Sequence, residues 1–157
     1  MEPLGIKTIG PVYHPGCYYE EDALTMVRQD PMLLRLIDNK TPKVCLEAVS
    51  LNGLALQYIN RQTPEICLAA VSKNGMALQY VREQTEEICL TAVKQDGMAL
   101  EYVKDCYETA EVCLAALDQN VDAYKYCIPF VLRAAFGQFA TLSKDQRVAA
   151  RWREAIN

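Results

Sequence analysis

The chain has few of the residues on which most catalytic sites depend. Its 157 residues include one histidine and one tryptophan. A metal site built on several histidines, such as an HExxH helix, is therefore excluded. The sequence also contains no glycine-rich nucleotide loop and no set of residues with the pattern of a nucleophilic triad. We therefore predict a protein that is not an enzyme, with no catalytic residue, no cofactor and no metal ligand.

Basic residues and long apolar runs are also scarce. The chain has 16 Lys and Arg against 20 Asp and Glu, and its formal net charge is −4. Residues 41–128 are acidic, whereas residues 129–157 are basic. An acidic body disfavours nucleic-acid binding, because phosphate contacts need Lys and Arg. No apolar run approaches the roughly 18 residues of a membrane span, so we expect no membrane insertion.

The seven cysteines are odd in number and show no framework of closely spaced pairs. Free thiols of this kind are typical of a reducing compartment. The N-terminus lacks the basic start and apolar run of a secretory signal. These features predict a cytoplasmic location.

The dominant feature of the sequence is a repeat of about 22 residues. The lines "CLEAVSLNGLALQYI" from Cys45, "CLAAVSKNGMALQYV" from Cys67 and "CLTAVKQDGMALEYV" from Cys89 are nearly identical. A diverged copy precedes them, in which Ala23 replaces the cysteine. Repeats of this period stack into solenoids with a continuous core. We divide the array, residues 19–128, into units 1 to 5: 19–40, 41–62, 63–84, 85–108 and 109–128.

Apolar residues within a unit recur at gaps of three and four, which indicates helices rather than strands. Each unit is therefore predicted to be two short helices, of about ten and eight residues, that must pack on neighbouring units. The fold class is all-α: an α-solenoid of five helix-turn-helix repeats with a C-terminal helical cap. Threonines are predicted to occupy the N-cap of the first helix of a unit: Thr41, Thr63, Thr85 and Thr109. Asp or Asn is predicted to occupy the N-cap of the second helix: Asp30, Asn52, Asn74, Asp96 and Asn120.

Two columns of the aligned repeats hold chemically distinctive residues. Equivalent positions in stacked helices lie about 8–10 Å apart, whereas a disulfide needs Cα atoms within about 7 Å. The cysteines of the first column are therefore predicted to act as small apolar residues buried in the core. The tyrosines of the second column are predicted to pack their rings between helices. The columns are Cys45, Cys67, Cys89 and Cys113, and Tyr58, Tyr80, Tyr102 and Tyr126.

The two ends of the chain depart from the repeat. Residues 1–18 are rich in Pro and Gly and are expected to be irregular; the nearby His14 and Cys17 lack an orienting third group. Residues 129–157 are expected to form two capping helices, the second beginning with a capping box at Ser143 and Gln146. The apolar stretch from Phe130 to Phe139, together with Leu51, is a candidate surface for self-association.

The repeat pattern T-x-E-[IV]-C-L-x-A-V-x-x-[ND]-G-x-A-L-x-[YF]-[VI] resembles the domain-of-unknown-function family numbered 4116. The resemblance covers Thr41 to Tyr126 closely and Tyr19 to Lys40 weakly. It implies tandem helical repeats of the kind found in bacteria, protists and large DNA viruses. It further implies an intracellular protein, in some cases a pathogen or viral protein acting in the host cytosol. The family carries no established activity.

Stacked repeats present a surface made of the columns that vary between copies. We predict a protein-protein interaction scaffold with an unknown protein partner. Two alternatives remain open: a helical repeat that binds nucleic acid, and an accessory module of a larger enzyme. The variable columns and the C-terminal segment supply the candidate partner surface: Glu47, Gln57, Lys73, Gln79, Lys94, Glu101, Lys125, Arg151 and Trp152.

Overall fold

The computed structural model describes residues 19–127, which hold all of units 1 to 4 and all but the last residue of unit 5. This part of the chain is helical and contains no strand. Each unit starts with an α-helix of ten residues, in agreement with the length expected from the sequence. The five α-helices are α1 (Glu20–Gln29), α2 (Pro42–Leu51), α3 (Pro64–Lys73), α4 (Glu86–Gln95) and α5 (Ala110–Gln119).

The second helix of every unit is a 3₁₀ helix of six residues, shorter and more tightly wound than the helix of about eight residues predicted. The amide of the residue that follows each of these helices bonds three residues back, as Ile59 N–H does to Leu56 O. An additional turn of three residues forms at the two-residue insertion near the end of unit 4. The 3₁₀ helices are η1 (Pro31–Leu36), η2 (Gly53–Tyr58), η3 (Gly75–Tyr80), η4 (Gly97–Tyr102), η5 (Asp105–Tyr107) and η6 (Val121–Tyr126).

The predicted caps are confirmed at both helices of the repeat. Each threonine hydroxyl accepts a hydrogen bond from the backbone N–H three residues later, for example from Val44 to Thr41. The Asp or Asn that follows each α-helix has extended backbone angles. Its side chain accepts from the amide two residues later, as Asn74 does from Met76. These bonds satisfy amides that a short helix leaves unpaired.

The units stack in two layers. Each α-helix packs against the α-helix of the next unit, and the main 3₁₀ helix of each unit packs against that of the next. The main 3₁₀ helix of each of units 1 to 4 also contacts the α-helix of the next unit, and one apolar core runs through all five units. The cysteine column is buried in that core, as predicted, and the tyrosine rings pack partly buried against it.

The glycines at the start of three 3₁₀ helices are required by a contact between units. A Cβ atom on Gly53 would lie 2.3 Å from the carbonyl oxygen of Ala70 in the next unit. The corresponding distances are 2.5 Å for Gly75 and 2.3 Å for Gly97. Glycine is therefore present because the two backbones nearly touch, rather than because the turn needs it.

No helix within residues 19–127 has the length and apolarity needed to cross a membrane. The predictions for the irregular segment 1–18 and the capping helices in 129–157 lie outside the described residues. The same is true of His14, Cys17 and the apolar stretch from Phe130 to Phe139. Leu51 lies at the end of α2 with 44% of its surface exposed.

Candidate functional site

The outer face of the 3₁₀ layer carries two parallel rows of side chains. A 3₁₀ helix has three residues per turn, so that residues i and i+3 lie above one another. In η2 this places Leu54 beside Gln57, whose amide donates to the Leu54 carbonyl oxygen at 3.0 Å. In η3, Gln79 bonds Met76 in the same way at 3.0 Å.

One of these rows is apolar and partly exposed, and we call it the methionine row. Its members occupy the second position of four successive 3₁₀ helices, and in unit 5 the position is taken by the exposed Asp122. Methionine is flexible and polarisable and is used where a surface must adapt to a partner. The members of the row are Met32, Leu54, Met76 and Met98.

The neighbouring row, which we call the polar row, is exposed; it is charged in units 1, 4 and 5 and carries glutamine in units 2 and 3. Four of its members belong to the candidate partner surface predicted from sequence, so the fold aligns these four on one face. The row consists of Arg35, Gln57, Gln79, Glu101 and Lys125. Its last member places its ammonium group 5.0 Å from the centre of the Tyr126 ring.

The other predicted surface residues lie elsewhere. Lys73 and Lys94 are exposed in the last turns of α3 and α4, away from the two rows. Glu47 is half-buried and accepts a hydrogen bond from Arg28 Nε at 2.8 Å, which joins unit 1 to unit 2. Arg151 and Trp152 lie outside the described residues.

A glutamine at the end of a unit clamps the loop of the next unit. Gln62 Nε2 donates to Tyr80 O at 2.9 Å, and Gln62 Oε1 accepts from Arg82 N–H at 3.0 Å. Gln84 repeats the arrangement one unit later, bonding Tyr102 O at 2.7 Å and Lys104 N–H at 2.9 Å. The side-chain amide thus acts as an extra peptide group between the stacked loops. The pattern of the sequence gave no indication of this clamp.

Two shallow grooves lie along the same loop edge. One, of about 410 Å³, runs from the end of unit 2 past Arg61, Gln62 and Glu83 to the start of unit 4. The other, of about 380 Å³, lies between units 1 and 2 past Asp38, Lys40 and Arg61.

Two cations on the loop edge bond to the chain itself. Arg82 donates to Asn60 O at 3.0 Å, and Lys104 Nζ donates to Arg82 O at 2.9 Å. These cations therefore hold successive loops together.

The buried thiols of the cysteine column are kept in their protonated form. Burial raises the pKa of Cys45 and of Cys67. The pKa of Cys89 rises to about 11, mainly because of burial. A hydrogen bond with Cys127, added to burial, raises the pKa of Cys113. Because the thiolate is the reactive form, these four residues are poor nucleophiles at neutral pH.

Three ligand-type side chains meet where unit 4 joins unit 5. One ligand atom each from Glu108, Cys113 and Cys127 lies within 4.8 Å of the other two, and all three residues are buried. The comparison of equivalent cysteines between units missed this cluster, because neither Glu108 nor Cys127 belongs to the cysteine column. The signal was present in the sequence: Glu108 ends unit 4 where Gln62 and Gln84 end the two preceding units, and Cys127 in unit 5 takes the position of a core Val or Ile.

The family comparison agrees with the repeat architecture. The family model described as "Domain of unknown function (DUF4116)" matches residues 41–85 and again residues 85–129. Each match spans two of the 22-residue units, and together the matches cover more than half of the 157 residues. No curated protein and no solved structure matches the chain. The chain therefore belongs to the DUF4116 family of tandem helical repeats.

Proposed function

We propose that this chain is a non-enzymatic scaffold that binds an extended segment of a partner protein along the methionine row. The observation that carries the proposal is the position of an apolar, partly exposed row directly beside an exposed polar row whose charge varies along the array. The first row offers apolar contact with little selectivity, while the second offers charges and amides that distinguish one partner from another.

The repeat spacing suits an extended polypeptide. Neighbouring helices pack about 8–10 Å apart, and an extended chain rises about 3.3 Å per residue. One apolar side chain every two to three residues of the partner would therefore meet successive members of the methionine row. The polar row adds Arg35 at one end, Glu101 in the fourth unit and Lys125 in the fifth, so that a partner with matched charges is favoured in one register.

We also propose an intracellular location. Six cysteines of the part described by the structure are free, five of them buried and Cys106 exposed. Exposed and buried free thiols persist in reducing compartments. Recovery of the protein from a cytosolic fraction with its thiols unoxidised is the expected result, and recovery with intermolecular disulfides through Cys106 contradicts it.

A pull-down with matched variants tests the binding face. The bait is the full 157-residue chain. The face variant combines Met76→Gln with Met98→Gln, which keeps side-chain length but makes the row polar. The control variant combines Lys73→Glu with Lys94→Glu on the α-helix ends. Circular dichroism must show equal helix content for all three chains.

We expect one protein that the intact chain and the control recover and that the face variant loses. With that partner purified, calorimetry should show at least a tenfold weaker Kd for the face variant, or about 1.4 kcal/mol. Equal recovery by all three chains contradicts the proposed face. Recovery of no specific protein contradicts the scaffold itself, and salt-sensitive recovery of nucleic acid favours the alternative class of partner.

A further inference from the structure

The cluster of Glu108, Cys113 and Cys127 differs from the equivalent positions at the three preceding junctions between units. Cys113 belongs to the shared cysteine column, but its two neighbours are changed. The corresponding trios at the junctions of units 1 and 2, units 2 and 3, and units 3 and 4 are Lys40, Cys45 and Ile59; Gln62, Cys67 and Val81; and Gln84, Cys89 and Val103. Among these four junctions, only that of units 4 and 5 places a carboxylate and a second sulfur at these positions.

Both changes replace residues whose contacts are seen in preceding units. Gln62 and Gln84 each use an Nε2 donor to hold the carbonyl of the next loop, and a carboxylate has no such donor. Valine at the second position fills the core, as Val81 does with 5% of its surface exposed. Cysteine is smaller there, and its thiol, which donates to Ala123 O at 4.0 Å, lies within 4.8 Å of the Cys113 sulfur and of a Glu108 carboxylate oxygen.

The arrangement is close to what a tetrahedral metal ion requires. Bond lengths of about 2.3 Å to sulfur and about 2.0–2.2 Å to oxygen place neighbouring tetrahedral ligands about 3.5–3.8 Å apart. Cys113 Sγ lies 3.7 Å from Glu108 Oε1, within that interval. All the ligand atoms lie within 4.8 Å of one another, so small side-chain shifts complete the geometry.

We propose that Glu108, Cys113 and Cys127 bind one Zn²⁺ ion. Two sulfur ligands select soft and borderline metals, and a carboxylate favours a divalent ion over monovalent copper. Three protein ligands leave a fourth coordination position for water or another ligand. On binding, each thiol S–H bond breaks, each sulfur forms a bond to zinc, and two protons pass to solvent. The ion with two thiolates and one carboxylate has a net charge of −1.

The proposal is independent of the partner-binding face, because the cluster is buried and the methionine row is exposed. A metal here would fix the last described 3₁₀ helix to α5, since Cys113 lies in α5 and Cys127 directly follows η6. We therefore expect the metal to stabilise the C-terminal end of the array.

Metal titration with two restoring variants tests the site. The probes are Co²⁺ and Zn²⁺, added to the reduced full-length chain. Glu108→Gln and Cys127→Val each install the residue that neighbouring units carry, so both variants should fold. Cys89→Ala is the control, because it removes an equivalent buried thiol and alanine already occupies this column at Ala23.

For the natural sequence and for Cys89→Ala we expect one Co²⁺ per chain. Absorption bands from sulfur-to-cobalt charge transfer should appear and should vanish when one equivalent of Zn²⁺ is added. Cys127→Val should bind Co²⁺ at least about 100-fold more weakly. Loss of a metal ligand should reduce the affinity at least as much as loss of a residue that hydrogen-bonds a ligand. Glu108→Gln should weaken binding while keeping a sulfur band.

The thermal midpoint should rise with Zn²⁺ for the natural sequence and the control only. Absence of a charge-transfer band, or a band of equal affinity in Cys127→Val, overturns the proposal. The proposal is also overturned if Cys113 and Cys127 form a disulfide and the reduced protein does not bind metal, because the pair would then be a redox site.

Discussion

Replacing Gln84 with alanine tests whether the glutamine clamp couples neighbouring repeats. The substitution removes two hydrogen bonds to the backbone of unit 4, at 2.7 Å to Tyr102 O and 2.9 Å to Lys104 N–H. It also removes the acceptor of the Cys89 thiol at 3.5 Å. Only 6% of the Gln84 surface is exposed, so water has little access to replace these bonds.

The expected loss of stability follows from these contacts. A neutral hydrogen bond contributes about 0.5–1.5 kcal/mol net, and a buried group left unpaired costs about 1–3 kcal/mol. We therefore expect Gln84→Ala to lower the free energy of unfolding by about 2–4 kcal/mol. Gln62 makes the same two backbone bonds but is only half-buried. Gln62→Ala should cost less, about 1–2 kcal/mol, because water can enter there.

Urea unfolding followed by circular dichroism and by tyrosine fluorescence measures both values, provided that the two transitions coincide. Gln79→Ala is the control, since this exposed glutamine bonds only within its own helix, to Met76 O, and should change stability by less than about 0.5 kcal/mol. A Gln84→Ala protein within about 0.5 kcal/mol of the natural sequence would refute the clamp. A larger effect at Gln62 than at Gln84 would refute the argument from burial.

Three further predictions concern the contact between units and the thiols. Gly75→Ala should destabilise the chain by about 1–3 kcal/mol through overpacking, because its Cβ would lie 2.5 Å from Ala92 O; an unchanged urea midpoint contradicts this. In native alkylation followed by peptide mass spectrometry, Cys106 should react before Cys89, because Cys106 is exposed and Cys89 is buried; equal rates contradict the structure. Stability should fall as the pH rises from about 9 toward 11, because the folded pKa of Cys89, about 11, lies above its ordinary value of 9.0. The folded protein then holds a proton that the unfolded chain releases. Cys89→Ala should show a shallower decline, and an identical pH profile contradicts the assignment.

The sequence was sufficient to predict the repeat, the α-helix of each unit and the caps. These features are local, since a cap joins residues two or three positions apart, as Thr41 and Val44 are. The burial of the cysteine column also followed from its apolar neighbours and its tolerance of alanine. The repeat strengthened each inference, because one structural explanation had to account for the same position in several copies of the sequence.

The winding of the second helix could not be predicted in the same way. Its apolar spacing suits either an α-helix or a 3₁₀ helix over so short a stretch. The contact of Gly53 with Ala70 in the next unit fixes how closely the two backbones approach. The 3₁₀ period then decides which side chains share the outer face. For that reason the sequence did not predict the methionine row, although it did predict four members of the polar row as part of the candidate partner surface.

Whether a feature could be predicted from the sequence depends on how far apart along the chain the contacting residues lie. The sequence by itself determined where helices start, which residues are apolar, and that the units must stack. Tertiary structure alone decided that Gln84 reaches Tyr102, 18 residues away, and that Glu108 and Cys113 meet Cys127. These arrangements depend on how one helix lies against another, and local propensity and periodicity do not encode that relation.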